Sequence, residues 1–303
     1  MGCNYPVPAF RLSDGSVTFN RQQKHIVSDL HVPCGQCIGC KLERSRQWAV
    51  RCMHEASLHE LNCFITLTYN DAHIPKYDTL DYTHFQKFMK RFRKRFPCKE
   101  IRFFMCGEYG EKNLRPHFHA CIFNFDFIDK EYYKTTSAGS KIYTSKLLDA
   151  LWSDKKKRPI GFTTVGQITF DSAGYVARYI MKKGNGRQFD YQYESVDEET
   201  GEIHYKKKEF NKMSLRPGIG TGWYKKWKSD IFPADICVIN GVPTKPPKFY
   251  YRKLKQEQPE VHEQISADRE QRAKLNSHDN TEDRLLVKEK VLKARLQLLQ
   301  REI

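Results

Sequence analysis

Ile101-Arg-Phe-Phe-Met-Cys-Gly-Glu108 and His117-Phe-His-Ala-Cys-Ile-Phe-Asn124 are two largely apolar runs, and the polar stretch Tyr109-Gly-Glu-Lys-Asn-Leu-Arg-Pro116 separates them. Aromatic and branched residues favour strands, whereas Gly, Asn and Pro favour the turn between two strands. The stretch therefore predicts an antiparallel hairpin.

The residues around this hairpin predict further strands and helices. Cys63-Phe-Ile-Thr-Leu-Thr-Tyr69 has the composition and length of a buried strand, and residues 161–170 predict another. The helical patterns cover residues 41–61, 81–96, 146–152 and 173–183. The middle of the chain thus mixes strands and helices.

We expect the chain to be organised in four segments. Residues 1–60 form an N-terminal segment with a cysteine knuckle and a helix, and a hairpin at Asp14-Gly15 is expected within it. Residues 61–187 form the core that carries the candidate site. Residues 188–251 form a polar insertion and an appendage rich in prolines and aromatics, and residues 252–303 form a charged helical tail. The apolar stripe of that tail consists of Leu285, Leu292, Leu296, Leu299 and Ile303.

The chain is strongly basic. Its 303 residues contain 52 Lys and Arg against 36 Asp and Glu, a formal net charge of +16. A surplus of this size favours an anionic partner, and nucleic acid is the first candidate. No run of about 18 apolar residues and no secretion signal is evident, so we expect a protein without a membrane partner. In a reducing cytoplasm its ten cysteines would be thiols, metal ligands or core residues.

His117 and His119 have the spacing of metal ligands. Residues i and i+2 of a strand point to the same face, so both imidazoles converge while the residue between them faces the core. Such pairs arise by chance roughly 0.4 times in a chain with this many histidines, so packing is the alternative. An oxygen ligand beside two imidazoles suits Mg²⁺ or Mn²⁺. Glu108 is the first candidate, because antiparallel pairing would return its carboxylate beside the rings, and Glu111 is the second.

Tyr175 and Tyr179 are candidate nucleophiles. Each begins a Tyr-x-x-basic repeat, ending at Arg178 and Lys182 respectively. Four residues apart on a helix, the two phenols share one face. A phenol has a pKa near 10, so an attacking phenolate needs positive charge, which Arg178 and Lys182 would supply. A packed amphipathic helix is the alternative.

The helix predicted at residues 81–96 has a basic outer face. Its apolar side consists of Phe85, Phe88, Phe92 and Phe96. Positive charges on the other side would run along phosphates, with a merely solvated face as the alternative. The residues expected to contact DNA are Lys87, Lys90, Arg91, Lys94 and, from the tyrosine helix, Arg178.

Cys34, Cys37 and Cys40 form a Cys-x2-Cys-x2-Cys pattern. Such a pattern arises by chance about once in a hundred chains of this kind, so we expect a structural Zn²⁺ site, with thiols packed in a turn as the alternative. An iron–sulfur cluster is a further alternative, although the usual spacing of a fourth cysteine is missing. The sequence leaves the fourth ligand open among Cys3, His31, Cys52 and His54.

Taken together, these motifs resemble a known family. The order of Phe64-Ile-Thr-Leu-Thr-Tyr69, His117-Phe-His119 and Tyr175-x3-Tyr179-x2-Lys182 is similar to that of the three motifs of two-tyrosine HUH replication initiators. The cysteine knuckle with Leu42-Glu-Arg-Ser-Arg-Gln-Trp48, and Arg216-Pro-Gly-Ile-Gly220, resemble the replication initiation proteins of gokushoviruses, small single-stranded DNA phages of the Microviridae. The likeness spans roughly residues 30–250.

The resemblance implies an α+β fold of the HUH or RRM-like type, with the histidine pair on a central strand of an antiparallel sheet and the tyrosine helix packed across it. It implies a metal-dependent nickase and strand-joining enzyme that starts rolling-circle replication. One tyrosine would nick the origin and hold the 5′ phosphate, and the other would accept the strand later. The expected partners are single-stranded and origin DNA of the phage. Host DNA polymerase and, since no P-loop motif occurs, host helicase would act with it in the bacterial cytoplasm.

Two other functions remain open at this point. A plasmid relaxase or a single-strand transposase would share the His-x-His motif and the tyrosine chemistry. A metal-stabilised nucleic-acid-binding module, whose histidines and tyrosines merely pack, would need no catalysis.

Overall fold

A computed structural model describes residues 2–110, 113–137, 139–182, 193–197 and 200–298, with the backbone alone from residue 178 to residue 182. The described residues fall into two compact units. We call them the terminal unit, which combines Met1–Arg44 with Glu263–Gln300, and the central unit, Ser45–His262.

The strands are β1 Val7–Leu12, β2 Val17–Thr18, β3 Ile26–Val32, β4 Asn62–Leu67, β5 Arg102–Tyr109, β6 Pro116–Phe123, β7 Glu131–Thr135, β8 Lys141–Thr144, β9 Thr163–Gly166, β10 Glu194–Val196, β11 Ile203–Tyr205, β12 Phe210–Met213, β13 Cys237–Ile239 and β14 Val242–Thr244. The helices are α1 Ile38–Ala56, α2 Tyr82–Arg95, α3 Lys146–Leu151, α4 Phe170–Lys182, α5 Thr221–Ile231, α6 Lys248–Glu257, α7 Pro259–Leu275 and α8 Glu282–Gln297.

The central unit is built on a seven-stranded sheet in the order β12-β5-β6-β4-β9-β8-β7. All of its pairs are antiparallel. β5 and β6 form the predicted hairpin, with Glu108 opposite His117 and Cys106 opposite His119. β4, the predicted buried strand, pairs with the other side of β6 and places Thr66 opposite His119. The histidine pair therefore lies on an inner strand, as expected.

Successive side chains of the inner strands point to opposite faces of the sheet and contribute to two hydrophobic layers, one on each face. On one face, Met105 and Phe118 pack with residues of α2 and α3. On the other face, Phe104 packs with residues of α1 and α4. Because side chains alternate along a strand, His117 and His119 face the layer of α1 and α4.

The basic helix α2 has the predicted amphipathic form. Phe85, Phe88 and Phe92 are fully buried, and Phe96 packs partly against the same layer. The carboxylate of Asp81 accepts a hydrogen bond from a backbone N–H of the first turn and so caps the helix.

Three strands of the sheet were not predicted. β7 and β8 form a hairpin at one edge of the sheet. Every residue of β7 is exposed. Its sequence therefore lacks the alternation of apolar and polar residues that indicates a half-buried strand. β12 comes from residues 188–251, which we expected to form an insertion and an appendage. It pairs with β5 at the other edge, where Phe210 lies opposite Gly107.

The terminal unit contains a small sheet in the order β2-β1-β3. β1 and β2 form the hairpin predicted at Asp14-Gly15. Gly15 adopts a φ of 79°, which glycine reaches without steric cost.

The helices α7 and α8 confirm the helical tail. Of its apolar stripe, Leu285 is buried and Leu292 and Leu296 are half-buried, while Leu299 and Ile303 lie outside the described residues. The α+β class is confirmed, with an antiparallel sheet flanked by helices, an N-terminal cysteine knuckle and C-terminal helices. Within the part of the chain that the structure describes, no helix combines the length and apolarity needed to cross a membrane.

Candidate active site

Three side chains on neighbouring strands converge near one end of β5 and β6. Nε2 of His117 lies 2.5 Å from Oε1 of Glu108, and Nε2 of His119 lies 3.1 Å from the same oxygen. Glu108 and His119 are buried, and His117 is half-buried. The hairpin register causes the convergence, because Glu108 and His117 are direct cross-strand partners.

Nδ1 of each ring, the nitrogen that does not contact Glu108, is hydrogen-bonded, and these bonds orient the two imidazoles. Nδ1 of His117 donates to the backbone carbonyl of Arg115 at 3.1 Å. A carbonyl only accepts, so the proton is on Nδ1 and, in the neutral ring, Nε2 directs a lone pair toward Glu108. Nδ1 of His119 meets the hydroxyl of Thr66 at 2.8 Å. Metal-ligating histidines are typically held by such bonds.

Glu108 is held as an anion. Burial raises the pKa of its carboxyl, but hydrogen bonds with His117 and His119 outweigh burial and lower that pKa to about 2. Burial lowers the pKa of His119, which favours the neutral ring that metal binding requires.

These residues fit a divalent metal ion. One ligand atom from each of Glu108, His117 and His119 lies within 4.8 Å of the other two. With Nδ1 of His117 protonated, the 2.5 Å contact between its Nε2 and Oε1 of Glu108 requires positive charge, either a second proton on the ring or a bound cation. The second oxygen of Glu108, Oε2, is buried and has no hydrogen-bond partner among the residues that the structure describes, so it needs the same compensation. Glu111, the second candidate for the oxygen ligand, lies outside the described residues.

Tyr175 brings its phenol to this group. Its hydroxyl lies 3.4 Å from Oε1 of Glu108, and its ring meets the ring of His119 edge-on, with centroids 5.2 Å apart. The helix α4 is fixed across the sheet, since the side-chain amide of Asn211 on β12 donates to the backbone carbonyl of Val176 at 2.8 Å. The tyrosine helix therefore packs across the sheet, as expected.

The rest of the predicted tyrosine motif is described only by its backbone. The helix α4 continues through Tyr179 and ends at Lys182, so Tyr179 follows Tyr175 by about one turn. The side chains of Arg178, Tyr179 and Lys182 lie outside the described residues. Their roles stay predictions.

Two site residues were missed, although the sequence carried their signal. Thr66 is hydrogen-bonded to Nδ1 of His119, and the ring of Phe64 stacks on that of His119 with centroids 5.6 Å apart. Alternation along Phe64-Ile-Thr-Leu-Thr places positions 64 and 66 on one face of β4. Pairing of this strand with the histidine strand would have pointed to Thr66.

The lysines predicted to contact DNA do not lie at this group. Lys87, Lys90 and Lys94 are exposed on α2, which packs on the sheet face opposite the histidine pair. Nε of Arg91 donates to the backbone carbonyl of Leu151 at 2.9 Å, so that side chain fastens α3 to α2. DNA contact by these residues stays a prediction.

A fourth cysteine, Cys3, lies next to the three cysteines of the knuckle. Sγ of Cys3 lies 3.5 Å from Sγ of Cys34 and 3.8 Å from Sγ of Cys37. The four sulfur atoms of Cys3, Cys34, Cys37 and Cys40 all lie within 4.8 Å of one another. The structure therefore provides a second group that could hold a metal ion.

The other candidates for the fourth ligand belong to different environments. Cys52 is buried in the layer that includes α4. Nδ1 of His54 is hydrogen-bonded to the hydroxyl of Tyr250 at 2.9 Å. His31 lies exposed on β3.

Comparisons with known proteins agree on one family. The family model described as "Replication-associated protein ORF2/G2P" matches residues 62–184. These residues include the histidine strand, its carboxylate partner and the tyrosine helix.

Individual relatives extend beyond that core. The chain is 32% identical over 271 residues to "Replication-associated protein VP4" of Bdellovibrio phage phiMH2K, which covers 86% of this chain and 79% of the relative. It is 34% identical over 259 residues to "Replication-associated protein ORF2" of Spiroplasma virus 4, covering 81% and 74% of the two chains. It is 33% identical over 175 residues to "Replication-associated protein ORF4" of Chlamydia phage 1, covering 55% and 42%. No solved structure matches the chain.

Proposed function

The chain belongs to the replication-associated proteins of the Microviridae, and we propose that it starts rolling-circle replication by nicking the origin strand of a single-stranded DNA phage. In this proposal a tyrosine attacks a phosphodiester, stays covalently on the 5′ phosphate and later rejoins the displaced strand. Membership of a replication family supports the choice of DNA as the substrate.

One contact carries the proposal. The hydroxyl of Tyr175 lies 3.4 Å from the carboxylate of Glu108, whose Oε1 is also met by both histidine rings. A nucleophile beside a group that fits a divalent ion is the arrangement needed for phosphoryl transfer. A module that only bound nucleic acid would not need a tyrosine hydroxyl, a buried carboxylate and a histidine pair in contact with one another.

The reaction balances without an external energy source. The phenolic oxygen of Tyr175 forms a bond to phosphorus, and the bond from phosphorus to the 3′ oxygen breaks. The proton lost by the phenol is balanced by the proton that the leaving 3′ oxygen gains. The products are a phosphotyrosine ester and a free 3′-OH, so rejoining by the reverse transfer needs no nucleotide.

We assign metal binding to Glu108, His117 and His119, with Mg²⁺ or Mn²⁺ as the ion. Bound there, a divalent ion would offset the charge that builds on the phosphate oxygens during attack. Thr66 and the carbonyl of Arg115 are hydrogen-bonded to Nδ1 of the two imidazoles and orient Nε2 of each ring toward Glu108. Glu108 stays ionised at neutral pH because its pKa is lowered to about 2.

The second tyrosine completes the cycle in this proposal. Tyr179 follows Tyr175 on α4, so we propose that it accepts the strand when a round of replication ends. Arg178 and Lys182 would stabilise phenolate or phosphate charge. The free 3′-OH would serve the host polymerase, with host helicase unwinding the duplex in the bacterial cytoplasm.

The basic surface supports a nucleic-acid partner more broadly. The net charge of +16 favours salt-sensitive binding to phosphates. Lys87, Lys90 and Lys94 lie on the far face of the sheet from the candidate active site, so we propose that they contribute affinity rather than position the scissile bond.

An adduct assay tests the proposal. Single-stranded oligonucleotides tiled across the encoding genome and labelled at the 3′ end are incubated with the full chain and Mg²⁺ or Mn²⁺. The label should move with the protein on a denaturing gel, because the protein keeps the 5′ phosphate of the labelled fragment. Tyr175→Phe/Tyr179→Phe should abolish the adduct, whereas Tyr132→Phe, an exposed tyrosine on β7, should not. An equal adduct in the double variant would exclude the proposed nucleophiles.

A further inference from the structure

We propose that Cys3, Cys34, Cys37 and Cys40 bind one zinc ion as a tetrahedral thiolate site that holds the terminal unit together. This inference concerns the terminal unit alone and does not depend on the proposed nicking activity. Cys3 is the new element, because 31 residues separate it from Cys34 and no local motif links them.

The sulfur separations match a single tetrahedral ion. A Zn–S bond of about 2.3 Å in a tetrahedron places the sulfur atoms about 3.8 Å apart. The observed separations are 3.5 Å from Cys3 to Cys34 and 3.8 Å from Cys3 to Cys37. A disulfide would need about 2.05 Å. The cage is thus sized for one ion and not for covalent pairs.

Backbone N–H groups point at the sulfur atoms. The amide of Cys34 donates to Sγ of Cys3 at 3.2 Å, and the amide of Asn4 donates to Sγ of Cys37 at 3.2 Å. The amide of Cys37 donates to Sγ of Cys34 at 3.3 Å, and the amide of Cys40 to Sγ of Cys37 at 3.5 Å. Such donors stabilise negative charge on sulfur, so they suit thiolate ligands better than neutral packed thiols.

Ligand chemistry and cage size favour zinc over iron–sulfur clusters. Four thiolates in a closed site are a typical structural zinc set. In a [2Fe–2S] or [4Fe–4S] cluster, cysteines on different iron atoms lie farther apart than in a one-ion site, whereas all four sulfurs here lie within 4.8 Å of one another.

The terminal unit has a small apolar core that such a site would supplement. Among its described residues the buried apolar side chains, apart from cysteine, are those of Ala9, Leu42, Ile265 and Leu285. Units of roughly 80 residues or fewer rarely obtain enough stability from a core alone and are often fastened by metal or disulfides. A metal ion would provide this fastening in a reducing compartment.

The residues beside Cys3 show what the site would join. The side-chain oxygen of Asn4 accepts from the amide of Gly39 at 3.0 Å, and its amide donates to the carbonyl of Leu285 on α8 at 3.4 Å. A Cβ on Gly39 would lie 2.1 Å from the carbonyl oxygen of Gly2, so only glycine permits this approach. Zinc at Cys3 would therefore fix the start of the chain between the knuckle and α8.

Metal content and cobalt spectroscopy test the inference on the full chain. Elemental analysis should find about one zinc per chain. Replacement by Co²⁺ should give the absorption bands of a tetrahedral tetrathiolate. Cys3→Ser should lose most of the zinc, while Cys98→Ser, a matched change at an exposed cysteine outside the group, should keep it.

A conservative variant separates ligation from packing. Cys3→His offers a nitrogen ligand at the same place, so it should restore zinc with cobalt bands shifted toward those of a three-sulfur, one-nitrogen site. Wild-type protein without zinc, or Cys3→Ser with unchanged zinc content and cobalt bands, would overturn the proposal. Iron in place of zinc, or zinc loss that Cys3→His does not reverse, would also overturn it.

Discussion

Glu108 lies directly opposite His117 in the antiparallel pair of β5 and β6, and Oε1 of Glu108 lies 2.5 Å from Nε2 of His117. The pairing of these two residues brings the carboxylate of Glu108 next to the histidine pair. A shift of one residue would turn the whole set to the other face of the sheet. The metal-binding capacity of the candidate active site thus follows from hairpin pairing.

Replacing Glu108 by Gln should weaken Mn²⁺ binding by about 10-fold or more, because an amide cannot balance the charge of the ion. Electron paramagnetic resonance of free Mn²⁺ measures this directly. Glu131→Gln, at an exposed position of β7, is the control and should bind as the wild type does. Equal affinity in Glu108→Gln would show that Glu108 is not a ligand.

Replacing Thr66 by Val should lower metal affinity and nicking by about 10- to 100-fold while leaving the fold intact. Valine keeps the shape but removes the hydroxyl that meets Nδ1 of His119 at 2.8 Å. Thr164→Val, directly opposite Thr66 on β9, changes the same residue type and should have little effect. The Thr66 assignment fails if the two variants are equally active.

Replacing Arg102 by Met should cost about 3 to 5 kcal/mol of unfolding free energy, because it leaves a buried carboxylate unpaired. Nε of Arg102 donates to Glu55 at 2.5 Å, and the other oxygen of Glu55 accepts from the amide of Gly220 at 2.6 Å. Urea denaturation followed by circular dichroism gives the value. Adding Glu55→Gln to Arg102→Met should recover part of the loss, and strict additivity would argue against the pairing.

The buried ring of His54 should make unfolding sensitive to acid. Burial lowers the pKa of His54 to about 3 from its ordinary 6.5. Between these two values the unfolded chain binds a proton that the folded chain does not. Stability should therefore fall as the pH falls below 6.5, by up to about 1.4 kcal/mol per pH unit from this group.

Denaturation at several pH values checks the contribution of His54. His54→Phe keeps an aromatic ring beside Trp223, on which His54 stacks with centroids 3.5 Å apart. Its stability should depend on pH less steeply than that of the wild type between pH 6.5 and pH 4. Identical slopes would mean that His54 is not buried as a neutral ring.

Much of the candidate active site could be predicted from the sequence because it depends on local periodicity. Alternation along β6 placed His117 and His119 on one face, and a short turn returned Glu108 to them. The same alternation along β4 places Thr66 on one face, but the sequence does not show which strand pairs with β4.

Other features could not be predicted because they depend on distant pairing. A charge run shows that α2 is exposed on one side but not which sheet face the helix covers, so the sequence could not show where its lysines lie relative to the histidine pair. Cys3 joins Cys34 across 31 residues. The exposed strand β7 and the edge strand β12 owe their conformation to sheet partners rather than to their own composition.

Mass spectrometry of the DNA-linked peptide tests directly whether a tyrosine of α4 attacks the phosphodiester. Trypsin cleaves after Arg178, so Tyr175 and Tyr179 fall in different peptides. After a single nicking reaction stopped before rejoining, we expect a phosphodiester-linked nucleotide on Tyr175, whose hydroxyl lies 3.4 Å from Glu108. A nucleotide on a residue outside α4, or nicking without any covalent peptide, would contradict tyrosine attack. A nucleotide on Tyr179 alone would contradict the role given to Tyr175.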